Sequence, residues 1–127
     1  MIFQLLLIGI LNLAWSNEIT AFTVGTKKVQ FYHYPEQRIT VSKKCDQIPK
    51  GQFCDEIAFL PNLKTMTEKA KLGPNRGGMN PGSRVCSEVL KGLVLMGLDE
   101  KKNENSFCQL KNDLLIDTGT LTYYSMK

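Results

Sequence analysis

The chain has 127 residues, 43% of them hydrophobic and 22% charged, with no homopolymer tract or useful repeat. That composition excludes a disordered tail and a repeat array, and it suits one folded domain with a short appendage. The net charge is +4, no charge precedes Glu18, and lysines fall in pairs (Lys27–Lys28, Lys43–Lys44, Lys101–Lys102) among acidic residues. This spread reads as solvated turns with a bias toward an anionic envelope surface, rather than as a dedicated anion site.

The N-terminal run Ile2–Trp15, IFQLLLIGILNLAW, is apolar but spans only about 21 Å as a helix, short of the roughly 30 Å hydrocarbon core. Ala14-Trp15-Ser16 supplies small residues for a signal peptidase, so residues 1–16 are expected to be an export signal cleaved before Asn17. The leader lacks the usual Lys or Arg, which leaves an upstream start codon or an uncleaved anchor as the alternatives. No stable transmembrane segment is expected in the mature chain.

Ile19–Val24 is rich in β-formers, Gly25–Lys28 has turn character, and Val29–Tyr34 alternates, so the spacing predicts a hairpin. Pro35 ends it, and Arg38–Ser42 reads as a third strand. Cys45 to Cys54 encloses the turn residues Pro49-Lys50-Gly51, and Ile57–Leu60 is expected as a further short strand. Leu63–Leu72 lacks Gly and Pro and is framed by Pro61 and Gly73, which predicts a helix.

Residues 73–79 (GPNRGGM) form the most loop-like run and the expected boundary between a β-rich part at 17–72 and a module at 80–127. Asn80 and Pro81 suit the N-cap and first position of a helix. Val85, Cys86, Val89, Leu90 and Leu93 share one helical face, with Gly92 placed for a left-handed C-cap. Leu93–Leu98, Ser106–Leu110 and Thr120–Ser125 are expected as strands. The predicted fold is therefore α+β: a β-rich N-terminal part with a short helix, then a helix packed on a small antiparallel sheet.

Cys45, Cys54, Cys86 and Cys108 all follow the expected cleavage point, so export makes disulfides the default. Four cysteines allow three pairings. Local pairing is favoured, Cys45 with Cys54 and Cys86 with Cys108, because Cys86 lies on the apolar helix face and Cys108 lies in a strand. In the chain-entropy treatment the two loops contribute about 2.7 and about 3.4 kcal/mol. There is no CxxC spacing and His33 is the only histidine, so neither a zinc site nor a thioredoxin-like centre is expected, and no cofactor is.

Asn80-Pro81-Gly82-Ser83, Cys86, Gly92, Cys108, Asp113, Ile116-Asp117 and Leu121 together resemble the bacterial domain of unknown function 333, over Asn80 to about Tyr124. Members of that family are short exported or lipoprotein domains, often labelled haemolysins without an established activity. The chain departs from the family pattern at Gly82, where Ala is usual, at Leu114, where a turn Gly is usual, and at Gly119, near the usual Trp. The resemblance marks Asn80, Pro81 and Ser83 as family positions; their own chemistry is that of a helix cap.

Catalytic patterns are thin. His33 has no Gly-x-Ser-x-Gly elbow beside it and reads as a packing or rim residue of a strand. Asp46, Asp55 and Glu56 bracket the first disulfide loop but match no calcium-loop spacing, so they read as solvated charge. Gly77-Gly78 lacks the Lys-Ser/Thr of a phosphate loop. Aromatics interleave with basic residues only faintly, at Phe31–Arg38, so no nucleic-acid partner is expected. The expected function is a periplasmic or secreted, non-enzymatic binding module for an unknown protein or anionic envelope component. The alternatives are a membrane-damaging effector, a protease inhibitor presenting Arg76 from its Gly/Pro-rich loop, and, last, a small hydrolase.

Overall fold

The computed structural model describes residues 18–74, 77 and 79–127. The expected leader at 1–16, its cleavage point before Asn17, and Arg76 lie outside those residues.

Strands β1 (Glu18–Val24) and β2 (Lys27–Tyr34) pair antiparallel from Glu18↔His33 to Val24↔Lys27. The turn is only Gly25-Thr26, two residues shorter than expected, and Gly25 takes φ +65°. A two-residue hairpin turn needs that left-handed backbone at its first position, which glycine adopts freely. Lys27 and Lys28 therefore belong to the strand. β3 (Ile39–Val41) pairs with β2.

Ile57–Leu60 is not a strand. The chain makes two 3-10 turns there, Asp55–Ile57 and Leu60–Asn62, before helix α1 (Leu63–Ala70). The reason lies in the spacing: Ile57, Leu60 and Leu63 are each fully buried, and a period of three is that of a 3-10 coil, not of a strand. α1 ends with Lys71 left-handed at φ 49°, two residues before Gly73.

Helix α2 opens as expected: Asn80 Oδ1 accepts the Ser83 N–H at 2.7 Å and Pro81 stands at the first position. It is shorter than its apolar period suggests, because one α turn (Pro81–Arg84) widens into a π turn over Val85–Val89. The left-handed residue that ends it is Lys91, φ 57°, not Gly92. Gly92 is needed for space, since a Cβ there would lie 2.7 Å from Cys108 Sγ and 3.1 Å from Cys86 Sγ. Gly82 has a similar role, because a Cβ would fall 1.8 Å from the Thr118 carbonyl oxygen. An alanine at position 82 would force the two segments apart.

β4 (Leu93–Leu98), β5 (Glu104–Gln109) and β6 (Leu115–Asp117) follow. The chain closes with helix α3 (Thr118–Met126), which replaces the expected strand at Thr120–Ser125. Asp117 Oδ1 caps α3 by accepting the Gly119 N–H at 2.6 Å, while Leu121 and Tyr124 bury one face. Tertiary burial and a cap here override the β-propensity of the Thr- and Tyr-rich run.

The strands form a closed barrel in the order β1-β2-β3-β6-β5-β4. β1–β3 come before residues 73–79 and β4–β6 after, and the two sets join at β3–β6 (Val41↔Ile116) and β1–β4 (Thr23↔Leu98, Val24↔Gly97). Alternate residues point inward. Phe22, Val24, Val29, Leu95 and Leu115 fill the barrel around Phe31 and Phe107. On the outer face Val41, Cys108 and Ile116 meet Ile48, Ile57, Leu60, Leu63, Val85, Cys86 and Leu121 from the helices and turns. The fold is thus α+β with an antiparallel sheet, and both disulfides lie on the helix side.

Candidate functional site

The disulfides pair Cys45 with Cys54 and Cys86 with Cys108, with Cα separations of 5.6 and 5.7 Å. Both lie close to one cleft of about 1000 Å³. Its walls are built by three chain reversals: Asp55–Phe59 just after Cys54, Leu90–Leu93 between α2 and β4, and Gln109–Asp113 between β5 and β6. Phe59, Leu90 and Leu110 are half-buried in it and Leu93 is exposed at its rim.

Two of the reversals, at 90–93 and 109–113, are unusual in backbone. Lys91, Asn112 and Asp113 all take φ between 57° and 59°, and none is glycine. Left-handed backbone costs a side-chain-bearing residue roughly 1 kcal/mol, and such residues persist where the surroundings over-determine them. Here the surroundings are the Cys86–Cys108 bond behind Gly92 and the Leu110 N–H to Leu114 carbonyl bond at 2.8 Å. Leu114 itself is extended, φ −65°, so this turn places its left-handed backbone at 112–113 and needs no glycine at 114.

The charges around the cleft differ in how they are engaged. Glu56 is held by Lys43, whose Nζ donates to both carboxylate oxygens at 3.0 and 2.9 Å. Asp113 accepts a long bond from Gln109 Nε2 at 3.4 Å. Among the described residues Lys91, Lys111 and Asp55 make no ion pair. An apolar floor with cations and anions on its rim suits a ligand that is itself amphipathic, such as a segment of protein.

The expected positions divide clearly. Cys54, Cys86 and Cys108 buttress the cleft walls without offering a thiol, since no cysteine is free. Asn80, Pro81 and Ser83 stand away from it: the cap is structural, and Asn80 Nδ2 also donates to Ser106 Oγ at 3.4 Å, tying α2 to β5. Arg76 lies outside the described residues. His33 lies at the opposite barrel mouth, where its Nδ1 meets Thr40 Oγ1 at 2.6 Å. Asp117, which the register also turns inward at that mouth, has both oxygens engaged, by Gly119 N–H and by Asn105 Nδ2 at 2.8 Å. Among the described residues no group of His, Cys, Asp and Glu is arranged to hold a metal ion, and no helix is long and apolar enough to cross a membrane.

Two titrating groups depart from ordinary behaviour, both outside the cleft. The Asn103 backbone N–H, its side-chain amide and the Lys101 N–H hold the Asp99 carboxyl below its usual value. Burial pushes the Tyr124 phenol up, and its hydroxyl donates to the Gln37 carbonyl at 2.7 Å.

Sequence reading missed Lys91, Leu93, Leu110 and Asn112. The available signal was Asn112-Asp113, a pair that tolerates left-handed turns; nothing local marked Lys91. No protein-family model, curated protein or solved structure matches the chain.

Proposed function

We propose that the protein is an exported, non-enzymatic binding module of the periplasm or the extracellular medium, which holds a protein or an envelope component in the cleft beside Gly92. The observation that carries the reading is the cleft itself: an amphipathic hollow of about 1000 Å³, walled by disulfide-backed reversals. A rigid, preformed wall loses little ordering entropy on binding, and two disulfides are compatible with an oxidising compartment. The resemblance of residues 80–124 to an exported family agrees with this, as does the expected leader. Catalysis has weak support, because the histidine is hydrogen-bonded to Thr40 at the far mouth.

The test is cross-linked capture from a native envelope fraction with the full chain. The rim variant Asp55→Lys/Lys111→Glu, at two exposed positions, should lower capture at least about tenfold, while His33→Ala should leave it unchanged. Equal capture by the rim variant would remove the cleft from the binding reading. An activity lost about a hundredfold in folded His33→Ala, the scale of losing a general base, would overturn the non-enzymatic one. Intact mass of the recovered protein, expected to begin at Asn17, checks export.

A further inference from the structure

The barrel is closed between β1 and β4 by two residue pairs only, Thr23↔Leu98 and Val24↔Gly97. Beyond them β1 turns away at Gly25-Thr26, while residues 93–96 of β4 run on, paired to β5 alone. One side of this segment, about 14 Å long at roughly 3.4 Å per residue, carries main-chain groups with no strand beside them among the described residues. Leu93 and Met96 are 58% and 54% exposed. Natural sheet edges are usually blunted by a charge, a proline or a bulge; Leu93–Leu98 (LVLMGL) has no charge and no proline, and it pairs with β5 without a break in register.

The flanks differ in character from the edge. Lys27 and Lys28 stand at the hairpin end where an added strand would stop, and Lys91 stands at the other end. All three are exposed, and among the described residues none is in an ion pair. The cleft rim beside this mouth adds Lys111, Asp55 and Asp113, with Glu56 neutralised by Lys43. A second copy of the chain laid antiparallel on this edge would bring two such lysine sets together. A peptide with acidic ends would be attracted instead.

We propose that residues 93–96 are a strand acceptor: they add an extended segment of a partner protein, apolar in its middle and acidic at its ends, by main-chain pairing. This rests on the binding-module reading and deepens it, because Leu93 belongs to both the edge and the cleft. Main-chain bonds supply the attachment, and the lysines set the register and the charge preference.

Amide hydrogen exchange of the full chain tests this with four synthetic probes: the nonapeptide Asp-Glu-Val-Thr-Val-Thr-Val-Glu-Asp, its counterpart with lysine at the four acidic positions, and two forms of the acidic peptide N-methylated at every second residue, one in each phase. The acidic peptide should slow exchange of the residue 93–96 amides that point away from β5 by tenfold or more, and less so as salt rises. The lysine peptide should give no protection, and one N-methyl phase should abolish what the other retains. Met96→Glu should remove the protection while the Phe31 and Phe107 amides stay protected; Lys27→Glu/Lys28→Glu, which leaves the strand's apolar residues untouched, should weaken it. Protection by no peptide, equal protection by both charge forms, or equal binding by both N-methyl phases would overturn the proposal. Protection of these amides without peptide, appearing with a dimer mass, would overturn it in favour of a second copy. Asp55→Lys/Lys111→Glu should still be protected by the acidic peptide, so the cleft and the edge fail separately.

Discussion

Inside the barrel Phe31 and Phe107 stack with centroids 4.3 Å apart, and Phe22 meets them edge-on at 5.5 and 5.1 Å. On the helix side the core is mostly aliphatic and carries both disulfides. The contrast between the disulfides and the packed side chains is one of range. Each disulfide closes a loop within its own part of the chain, Cys45–Cys54 before residues 73–79 and Cys86–Cys108 after. The aromatic cluster draws Phe22 and Phe31 from one part and Phe107 from the other. Covalent bonds therefore stiffen local pieces, while side-chain packing and two strand junctions, β1–β4 and β3–β6, hold the pieces together. The barrel interior thus spans both parts of the chain, as does the aliphatic core outside it, and only the disulfides are local.

The largest effect should come from that interior. Phe107→Ala removes a fully buried ring and should destabilise the whole chain by about 3–5 kcal/mol. Denaturant unfolding followed at β1–β2 amides and at β4–β5 amides should give one shared midpoint; two separate midpoints would break the comparison drawn above. The disulfides should matter slightly less. Cys86→Ser/Cys108→Ser should lose about 3.4 kcal/mol and Cys45→Ser/Cys54→Ser about 2.7 kcal/mol, and equal or inverted losses by chemical denaturation would argue against loop length as the cause.

A smaller loss is expected at the cap. Asn80→Ala removes the acceptor of the Ser83 N–H and should lower stability by about 1 kcal/mol, while Asn80→Asp, which keeps an acceptor, should retain most of it. The smallest signal is at Asp99. Its folded pKa is depressed chiefly by the Asn103 N–H, so its contribution is present above the unfolded value of about 3.9 and is lost as pH falls through the folded value. Amide protection in residues 99–103 should decline over that acid range in the natural chain, and Asp99→Ala should lack this decline.

Residues acting over a few positions were legible. Gly25 announced a hairpin because a tight turn demands left-handed backbone, and Asn80-Pro81 announced a helix start because a cap and a fixed φ suit one. Leu63–Leu72 read as a helix from its composition, correct to within two residues at its end. The local pairing of the cysteines followed from Cys86 standing on an apolar face.

What only the tertiary structure decided were the elements whose backbone choice depends on distant burial. Ile57–Leu60 and Thr120–Ser125 carry β-formers, yet coil because Leu60, Leu63, Leu121 and Tyr124 find a common core on the outer face of the sheet. Gly92 looked like a turn residue and is instead a gap for two sulfur atoms that lie 22 positions apart in the chain. The cleft joins three reversals from residues 55–59, 90–93 and 109–113, and among the described residues one side of 93–96 is left without a strand because β1 turns away after Val24. Local propensity and capping set what each segment prefers within a turn or two. Barrel closure brings together segments that share no local signal, so the site those segments form could not be read from any one of them.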